Sequence, residues 1–125
     1  MSTGQSPVHR LTPSMEGAFQ DMKALLAESG FRPARGYFAD NDLIAVGAMR
    51  AFQAAGYRIP EDVAIIGFDN MPVGSYVFPA LTTVNVPKKV MGETAVRRLK
   101  YLLGAKTLVP MRLLVGVSLV VRGSV

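Results

Sequence analysis

The feature that most constrains the fold is the run Val63-Ala-Ile-Ile-Gly-Phe, in which apolar and polar positions do not alternate. Such a run is typical of a parallel strand that is covered on both faces. A short apolar run at 35–39 precedes it, and a segment from Leu43 to Ala55, rich in small residues, lies between the two. Strand, helix and strand at this spacing predict a βαβ unit with a right-handed crossover. We therefore expect an α/β fold, a parallel-sheet βαβ sandwich.

Further elements are predicted on either side of this unit. Apolar residues at spacings of three and four predict an amphipathic helix that Thr12 and Pro13 open and Gly30 closes. The other predicted parts are a flexible start at 1–11, buried strands at 35–39 and 63–68, an irregular stretch at 69–80, a strand at 81–86, a helix from Pro87 to Gly104 and a closing strand from Met111 to Arg122.

Composition narrows the classes of protein. Half of the residues are apolar and 18% are charged, which is the balance of a folded domain. The absence of cysteine excludes disulfides and thiolate metal sites. The sequence has no uninterrupted apolar stretch of about 18 residues and no secretory signal at its start, so we expect a cytoplasmic protein without membrane contact. The net charge of +5 is not clustered: the densest basic stretches, Lys88-Lys89 and Arg97-Arg98-Lys100, lie on one predicted helix, which favours a solvated face over a nucleic-acid site.

Catalysis finds little support in the sequence. The one histidine, His9, lies in the predicted flexible start, and no GxSxG, GxxxxGK[ST] or HExxH motif occurs. Asp40 and Asp42 are close enough in sequence to suggest a magnesium site. Two acids at a helix start are more often caps and partners of the helix dipole. We therefore predict no enzyme, no metal and no cofactor.

Polar residues stand where both strands of the βαβ unit end. The group 40–42 follows the first strand, and Asp69 and Asn70 follow the second. In open α/β sheets, ligands bind outside the carboxyl ends of the strands. Carboxylates accept hydroxyl hydrogen bonds and amides both donate and accept, which suits a sugar. The sequence equally allows that Asn41 or Asp42 only caps the following helix, whereas Asp69 has no such role and is favoured as a ligand.

Four blocks of the sequence resemble blocks of the LacI/GalR family of transcriptional regulators. Phe38-Ala-Asp-Asn-Asp-Leu-Ile-Ala-Val-Gly resembles the start of "A-x-N-D-x-x-A-x-G-x-x-x-A", and Gly56-Tyr-Arg-Ile-Pro-Glu-Asp-Val-Ala-Ile-Ile-Gly-Phe-Asp-Asn resembles "G-x-x-V-P-x-D-V-S-V-I-G-F-D-D". Pro79-Ala-Leu-Thr-Thr-Val-Asn-Val-Pro is similar to "P-x-L-T-T-V-x-Q-P", and Val117-Ser-Leu-Val-Val-Arg-Gly-Ser to "x-x-L-V-x-R-x-S". The blocks occur in the family's order and spacing, from about Ser14 to Ser124.

The resemblance implies a partial type-I periplasmic-binding-protein-like fold, its C-terminal lobe, which with a second lobe closes over a small effector. It implies that Asn41 and Asp69 contact this effector, with Asp42 and Asn70 as secondary candidates. Effectors in the family are mostly sugars, sugar phosphates or purines. Operator DNA is bound through a helix-turn-helix domain that we expect outside this sequence.

The resemblance also implies a domain layout and a homodimer. Residues 12–125 are expected to form the C-terminal part of an effector-binding domain, within which 84–105 is a crossover segment that packs on the N-terminal lobe. Val46, Val77 and Phe78 are expected at the dimer interface. Most of the N-terminal lobe is expected outside this sequence. The apolar side of the crossover helix would then be exposed or paired with another chain, through Val90, Met91, Ala95 and Leu99.

The preferred interpretation is the effector-sensing and dimerising portion of a LacI-family regulator. A sugar-binding transport protein of the same fold and a truncated module that only dimerises are the alternatives. Two departures from the family pattern leave the identity of the effector open. Val86 stands where the family typically has Gln, and Asn70 where it has a second Asp.

Overall fold

A computed structural model describes residues 7–105 and 109–125. Residues 1–6 of the predicted flexible start lie outside this description. In the described part of that start, Leu11 packs against the core and the His9 ring lies 5.4 Å from the ring of Phe31. The elements, in chain order, are α1 (Met15–Ala27), β1 (Gly36–Phe38), α2 (Asp42–Ala54), β2 (Ala64–Phe68), α3 (Val73–Tyr76), β3 (Thr82–Asn85), α4 (Lys88–Gly104) and β4 (Ser118–Val120).

The four strands form one sheet in the order β1-β2-β3-β4. β1 pairs with β2, and β2 with β3, in parallel, with Tyr37 opposite Ile65 and Phe68 opposite Val84. β4 is antiparallel to β3. The βαβ unit formed by β1, α2 and β2 confirms the strand–helix–strand prediction, and the α/β fold class is confirmed with it.

The core lies between the sheet and the pair of helices α1 and α2. Small residues let the two helices approach closely, since a side chain at Gly47 would meet the Met15 carbonyl oxygen and come within 2.7 Å of the Ala18 Cβ. Phe52 is fully buried and its ring lies 5.3 Å from that of Tyr37. The buried hydrophobic cluster comprises Met22, Ala45, Val46, Ala48, Met49, Ala51, Phe52, Ile59, Val63, Ile65 and Leu81.

The opposite face of the sheet is open, which corrects a prediction. Along β2 burial alternates, with Ile65 and Gly67 buried and the three residues between and beside them only half-buried. Phe38 in β1 is 61% exposed, so the run at 35–39 is not a buried strand. Period-two alternation is the pattern of a strand covered on one face. α1 and α2 cover one face of the sheet, and among the described residues no helix packs on the other.

Three local predictions are also corrected. α1 is capped by Ser14, whose hydroxyl accepts a hydrogen bond from the Gly17 N–H, while the Thr12 N–H donates to Asp21. The stretch 69–80, expected to be irregular, contains the short helix α3. Only Ser118–Val120 of the predicted closing strand is paired. Helix boundaries depend on the side chain that reaches the free N–H groups, so several neighbouring Ser and Thr residues are equivalent in a sequence pattern.

α4 spans the predicted crossover helix, and none of its 17 residues is buried. Val90, Met91 and Leu99, on the side expected to pack, are 51%, 45% and 57% exposed. No helix in the described residues is both long and apolar enough to span a bilayer. The packing partner of residues 84–105 therefore stays a prediction.

Candidate functional site

The candidate site is at the carboxyl ends of β1 and β2. The two strands are parallel neighbours, so the loops that follow them leave the sheet at the same edge. The loops also touch, because the Met71 N–H donates a hydrogen bond of 2.6 Å to Asp42 Oδ2. The polar groups that the sequence places after each strand are therefore brought together at one edge.

Asp69 begins a tight turn after β2. Asp69 and Asn70 both have positive φ angles, of 103° and 49°, and the Asp69 N–H donates to the Val84 carbonyl at 2.9 Å. The Asp69 side chain is 36% exposed, with Lys88 Nζ 3.8 Å from its Oδ1. Lys88 also donates a hydrogen bond to the Asp69 carbonyl oxygen. Asp69 thus presents a partly solvated carboxylate beside a cation at the sheet edge.

Asn41 is the N-cap of α2. Its Oδ1 accepts a hydrogen bond of 2.9 Å from the Ile44 N–H, and its backbone is extended, as caps require. This is the capping role that the sequence left open. The cap uses only the side-chain oxygen, so a ligand contact by Asn41 would come from its Nδ2 donor.

Asp42 has an internal role, which corrects its place among the secondary ligand candidates. Its side chain is fully buried. Oδ1 accepts from the Thr83 hydroxyl at 2.6 Å, and Oδ2 accepts from the Met71 N–H. Both oxygens are therefore used inside the protein, and a ligand at the surface of the edge does not reach them.

Asn70 is likewise engaged at both ends of its amide. Its Nδ2 donates to Asn85 Oδ1 at 3.0 Å, and its Oδ1 accepts from the Arg122 guanidinium at 2.7 Å. Arg122 also donates to the Leu81 carbonyl, so it ties the turn after β2 to the start of β3. Our sequence reasoning did not single out Arg122 or the buried Ser124. The only signal for them was the terminal block Val117–Ser124.

The three residues expected at a dimer interface have different surroundings. Val46 is 2% exposed and belongs to the core, so it is not available to a partner, which corrects that assignment. Val77 is half-buried against the core, whereas Phe78 is 90% exposed and Tyr76 87%. The Gln53 amide donates to the Phe78 carbonyl and anchors this segment to α2.

A cavity in the described part of the chain lies away from this edge. It has a volume of about 850 Å³ between residues 7–11 and the β1–α2 side of the domain. Its lining includes Asp40 but neither Asn41 nor Asp69. Within residues 7–105 and 109–125 no three His, Cys, Asp or Glu side chains are grouped as metal ligands would be. The edge of the sheet, and not this apolar cavity, is the candidate site.

An open, mostly parallel sheet with polar loops at its carboxyl edge defines an α/β ligand-binding domain. The sequence pattern of periplasmic binding protein-like domains matches residues 3–125. The chain therefore belongs to the family of periplasmic binding protein-like domains.

Two relatives with similar sequences are LacI-type regulators. The chain is 39% identical over 87 residues to the HTH-type transcriptional regulator CelR of Thermobifida fusca, and the match covers 70% of the chain and 26% of that protein. It is 37% identical over 108 residues to the ribose operon repressor of Escherichia coli strain K12, and this match covers 86% of the chain and 32% of the repressor. The chain thus spans about a quarter to a third of these relatives' length.

A solved structure supports the same conclusion. The LacI family transcriptional regulator from Enterococcus faecalis V583, with bound ribose, superposes with a TM-score of 0.79 at 33% identity, covering 91% of this chain and 41% of that one. The resemblance to the effector-binding region of LacI/GalR regulators is confirmed. The curated relatives are named as regulators and repressors, which agrees with the prediction that the chain is not an enzyme.

Proposed function

We propose that the chain is the effector-sensing and dimerising portion of a LacI-family transcriptional regulator, and that a sugar binds at the carboxyl edge of its sheet through Asp69 and Asn41. The observation that carries this proposal is the Met71–Asp42 hydrogen bond, because it joins the loops that bear the two side chains. A structural neighbour with bound ribose supports the sugar class. A sugar phosphate or a purine is the alternative ligand class.

The rest of the proposal concerns the whole regulator. A helix-turn-helix domain outside this chain would bind operator DNA, and the protein would act in the cytoplasm, where that DNA lies. The proposal assigns the operator contacts to that domain, because a helix-turn-helix reads bases through its recognition helix in the major groove. The alternative of a sugar-binding transport protein is disfavoured by relatives that are named as transcriptional regulators.

Calorimetric titration tests the site. The panel is ribose, lactose, ribose 5-phosphate and adenine, each titrated into the chain. We expect a sugar to bind, and Asp69→Ala to weaken that binding about tenfold or more, since a lost hydrogen bond to a charged group costs roughly 1.5–3 kcal/mol. Glu61→Ala, an exposed acid before the opposite end of β2, is the matched control and should leave the affinity unchanged.

A second variant separates the two roles of Asn41. Asn41→Ser keeps a capping oxygen, so the free energy of unfolding should stay within about 0.5 kcal/mol of the wild-type value. Because serine lacks the Nδ2 donor, sugar affinity should still fall. An affinity within about twofold of wild type in both Asp69→Ala and Asn41→Ser would disprove the proposed contacts.

The homodimer is proposed to form through the segment that carries Val77 and Phe78. Phe78 and its neighbour Tyr76 are the large, solvent-exposed side chains there, as anchors of an interface would be in a free protomer. Light scattering should give a dimer mass that does not change with salt, since apolar contacts are not screened. Phe78→Asp should reduce the mass to that of a monomer, and Leu114→Asp, at an equally exposed position, should not. The same mass for both variants would contradict this interface.

A further inference from the structure

The turn that carries Asp69 has an unusual backbone. Asp69 and Asn70 both have positive φ, and neither is glycine. An asparagine tolerates φ near 49°, but a φ of 103° is disfavoured for a residue with a Cβ atom. Such conformations persist where the surrounding structure holds them. The groups that hold this turn are the hydrogen-bond partners of its backbone N–H groups.

Three consecutive backbone N–H groups of the turn have partners within the domain. That of Asp69 donates to the Val84 carbonyl at 2.9 Å. That of Asn70 donates to Thr83 Oγ1 at 3.2 Å, and the Thr83 hydroxyl in turn donates to Asp42 Oδ1 at 2.6 Å. That of Met71 donates directly to Asp42 Oδ2 at 2.6 Å. One carboxylate therefore receives two successive amides of the turn, one of them through the hydroxyl of Thr83.

This arrangement is buried and closely fitted. The side chains of Asp42 and Thr83 are both fully buried. Gly67 in β2 leaves the room that the carboxylate occupies, because a Cβ atom there would collide with Asp42 Oδ1 and come within 2.9 Å of Leu81 Cδ2. Short hydrogen bonds to a carboxylate, shielded from water, are among the strong ones in proteins.

We infer that Asp42 and Thr83 are positioning residues, which hold the Asp69–Asn70 turn in its left-handed conformation and set its distance from Asn41. Asp42 can do both because it is the first residue of α2 and follows Asn41 directly. Neither residue touches the ligand. The inference rests on the proposed function only for the statement that the turn binds a sugar.

Amide hydrogen exchange on the chain tests the inference without any ligand. Thr83→Val keeps the shape of the side chain and removes the hydroxyl, whereas Thr83→Ser keeps the hydroxyl. The measured quantity is the exchange rate of the Asn70 amide relative to that of Ile65, a strand amide bonded to the Ser124 carbonyl. We expect the ratio to rise at least about tenfold in Thr83→Val and to return to within about threefold of wild type in Thr83→Ser.

Thr82→Val is the matched control. Thr82 is equally buried and adjacent on β3, but its hydroxyl accepts from the Arg122 N–H and does not bond the turn. The Asn70-to-Ile65 ratio should therefore stay at the wild-type value in Thr82→Val. An unchanged ratio in Thr83→Val, or an equal rise in both variants, would overturn the inference.

Two further measurements complete the test. If Thr83→Val does not fold, the inference is tested on the wild-type chain. The Met71 amide should then exchange no more than about tenfold faster than the Ile65 amide. Exchange of the Met71 amide at the rate of an unstructured peptide would overturn the inference. Ribose titration then links the turn to binding, with affinity expected to fall about tenfold in Thr83→Val and not in Thr82→Val. A wild-type chain that does not bind ribose counts against the proposed sugar and leaves the exchange result to decide the positioning role.

Discussion

The helices α2 and α4 differ sharply in what they pack against. α2 has 13 residues, of which eight are buried between α1 and the sheet. α4 has 17 residues, none of them buried, although it carries Val90, Met91, Leu99 and Leu103. Both helices are predicted correctly from the sequence. Their stability in this chain nevertheless has different sources.

The difference shows that an apolar helix stripe indicates a need for a partner and not the partner's presence. Burial of a large apolar side chain contributes about 1.5–3 kcal/mol, and α2 buries three of them, Val46, Met49 and Phe52. α4 obtains little of it from the described residues, so within them its stability depends mainly on local helix propensity. Substitutions in the two helices should therefore have very different effects on the free energy of unfolding.

Truncation of a large side chain should show the largest contrast. Phe52→Ala in α2 removes a fully buried ring and should lower the free energy of unfolding by about 3–5 kcal/mol. Leu99→Ala in α4, where the side chain is 57% exposed, should change it by no more than about 0.5 kcal/mol. Urea titrations followed by circular dichroism measure both. A loss of several kcal/mol in Leu99→Ala would show that α4 is packed in solution, for instance against a second copy.

Glycine-to-alanine substitutions in the two helices should change the free energy of unfolding in opposite directions. Gly47→Ala in α2 places a methyl group against the Met15 carbonyl and should destabilise the fold by about 1–3 kcal/mol. Gly92→Ala in α4 meets nothing within 4 Å and should stabilise the helix by about 0.5–1 kcal/mol. Urea midpoints of the two variants decide the point. If both midpoints moved in the same direction, the close approach of α1 and α2 would be wrong.

The smallest expected effect is a pH dependence of the free energy of unfolding. It arises from an ion pair in the connection between α2 and β2. Hydrogen bonds from Arg58, through its side chain and its backbone N–H, lower the pKa of Asp62 from 3.8 to about 2. A carboxylate with a lowered folded-state pKa stabilises the fold above its unfolded pKa, and this contribution is lost as the pH falls through the folded value. Wild type should therefore exceed Asp62→Asn in stability above about pH 4, and the difference should decrease as the pH falls from about 4 through about 2. A difference independent of pH across this window would contradict the ion pair.

The sequence correctly predicted those parts of the fold that depend on residues close together in the chain. The helix from Leu43 to Ala55 differs from α2 by one residue at each end, and Asn41 caps it. The same reasoning chose Thr12 where Ser14 is the cap, missed α3 and expected cover on both faces of β2. The error on β2 has a clear cause. Its composition suits a strand with two covered faces, but whether each face is covered is decided by elements distant in the chain.

The candidate site, too, was predictable only in part from the sequence. The sequence placed Asp69 and Asn41 at strand ends, and parallel pairing of β1 with β2 puts them on one edge. It did not distinguish Asn41 from Asp42, two adjacent polar residues at a helix start. Only the fold brings Thr83, 41 residues away, to Asp42, and Arg122, 52 residues away, to Asn70.

By itself, the sequence determined the α/β class, the order of the main elements and the family, because periodicity, caps and motif spacing act over a few residues at a time. The tertiary structure decided which polar side chains are ligand candidates and which are internal supports. That distinction depends on burial and on hydrogen-bond partners, and both arise only when segments far apart in the chain are brought into contact.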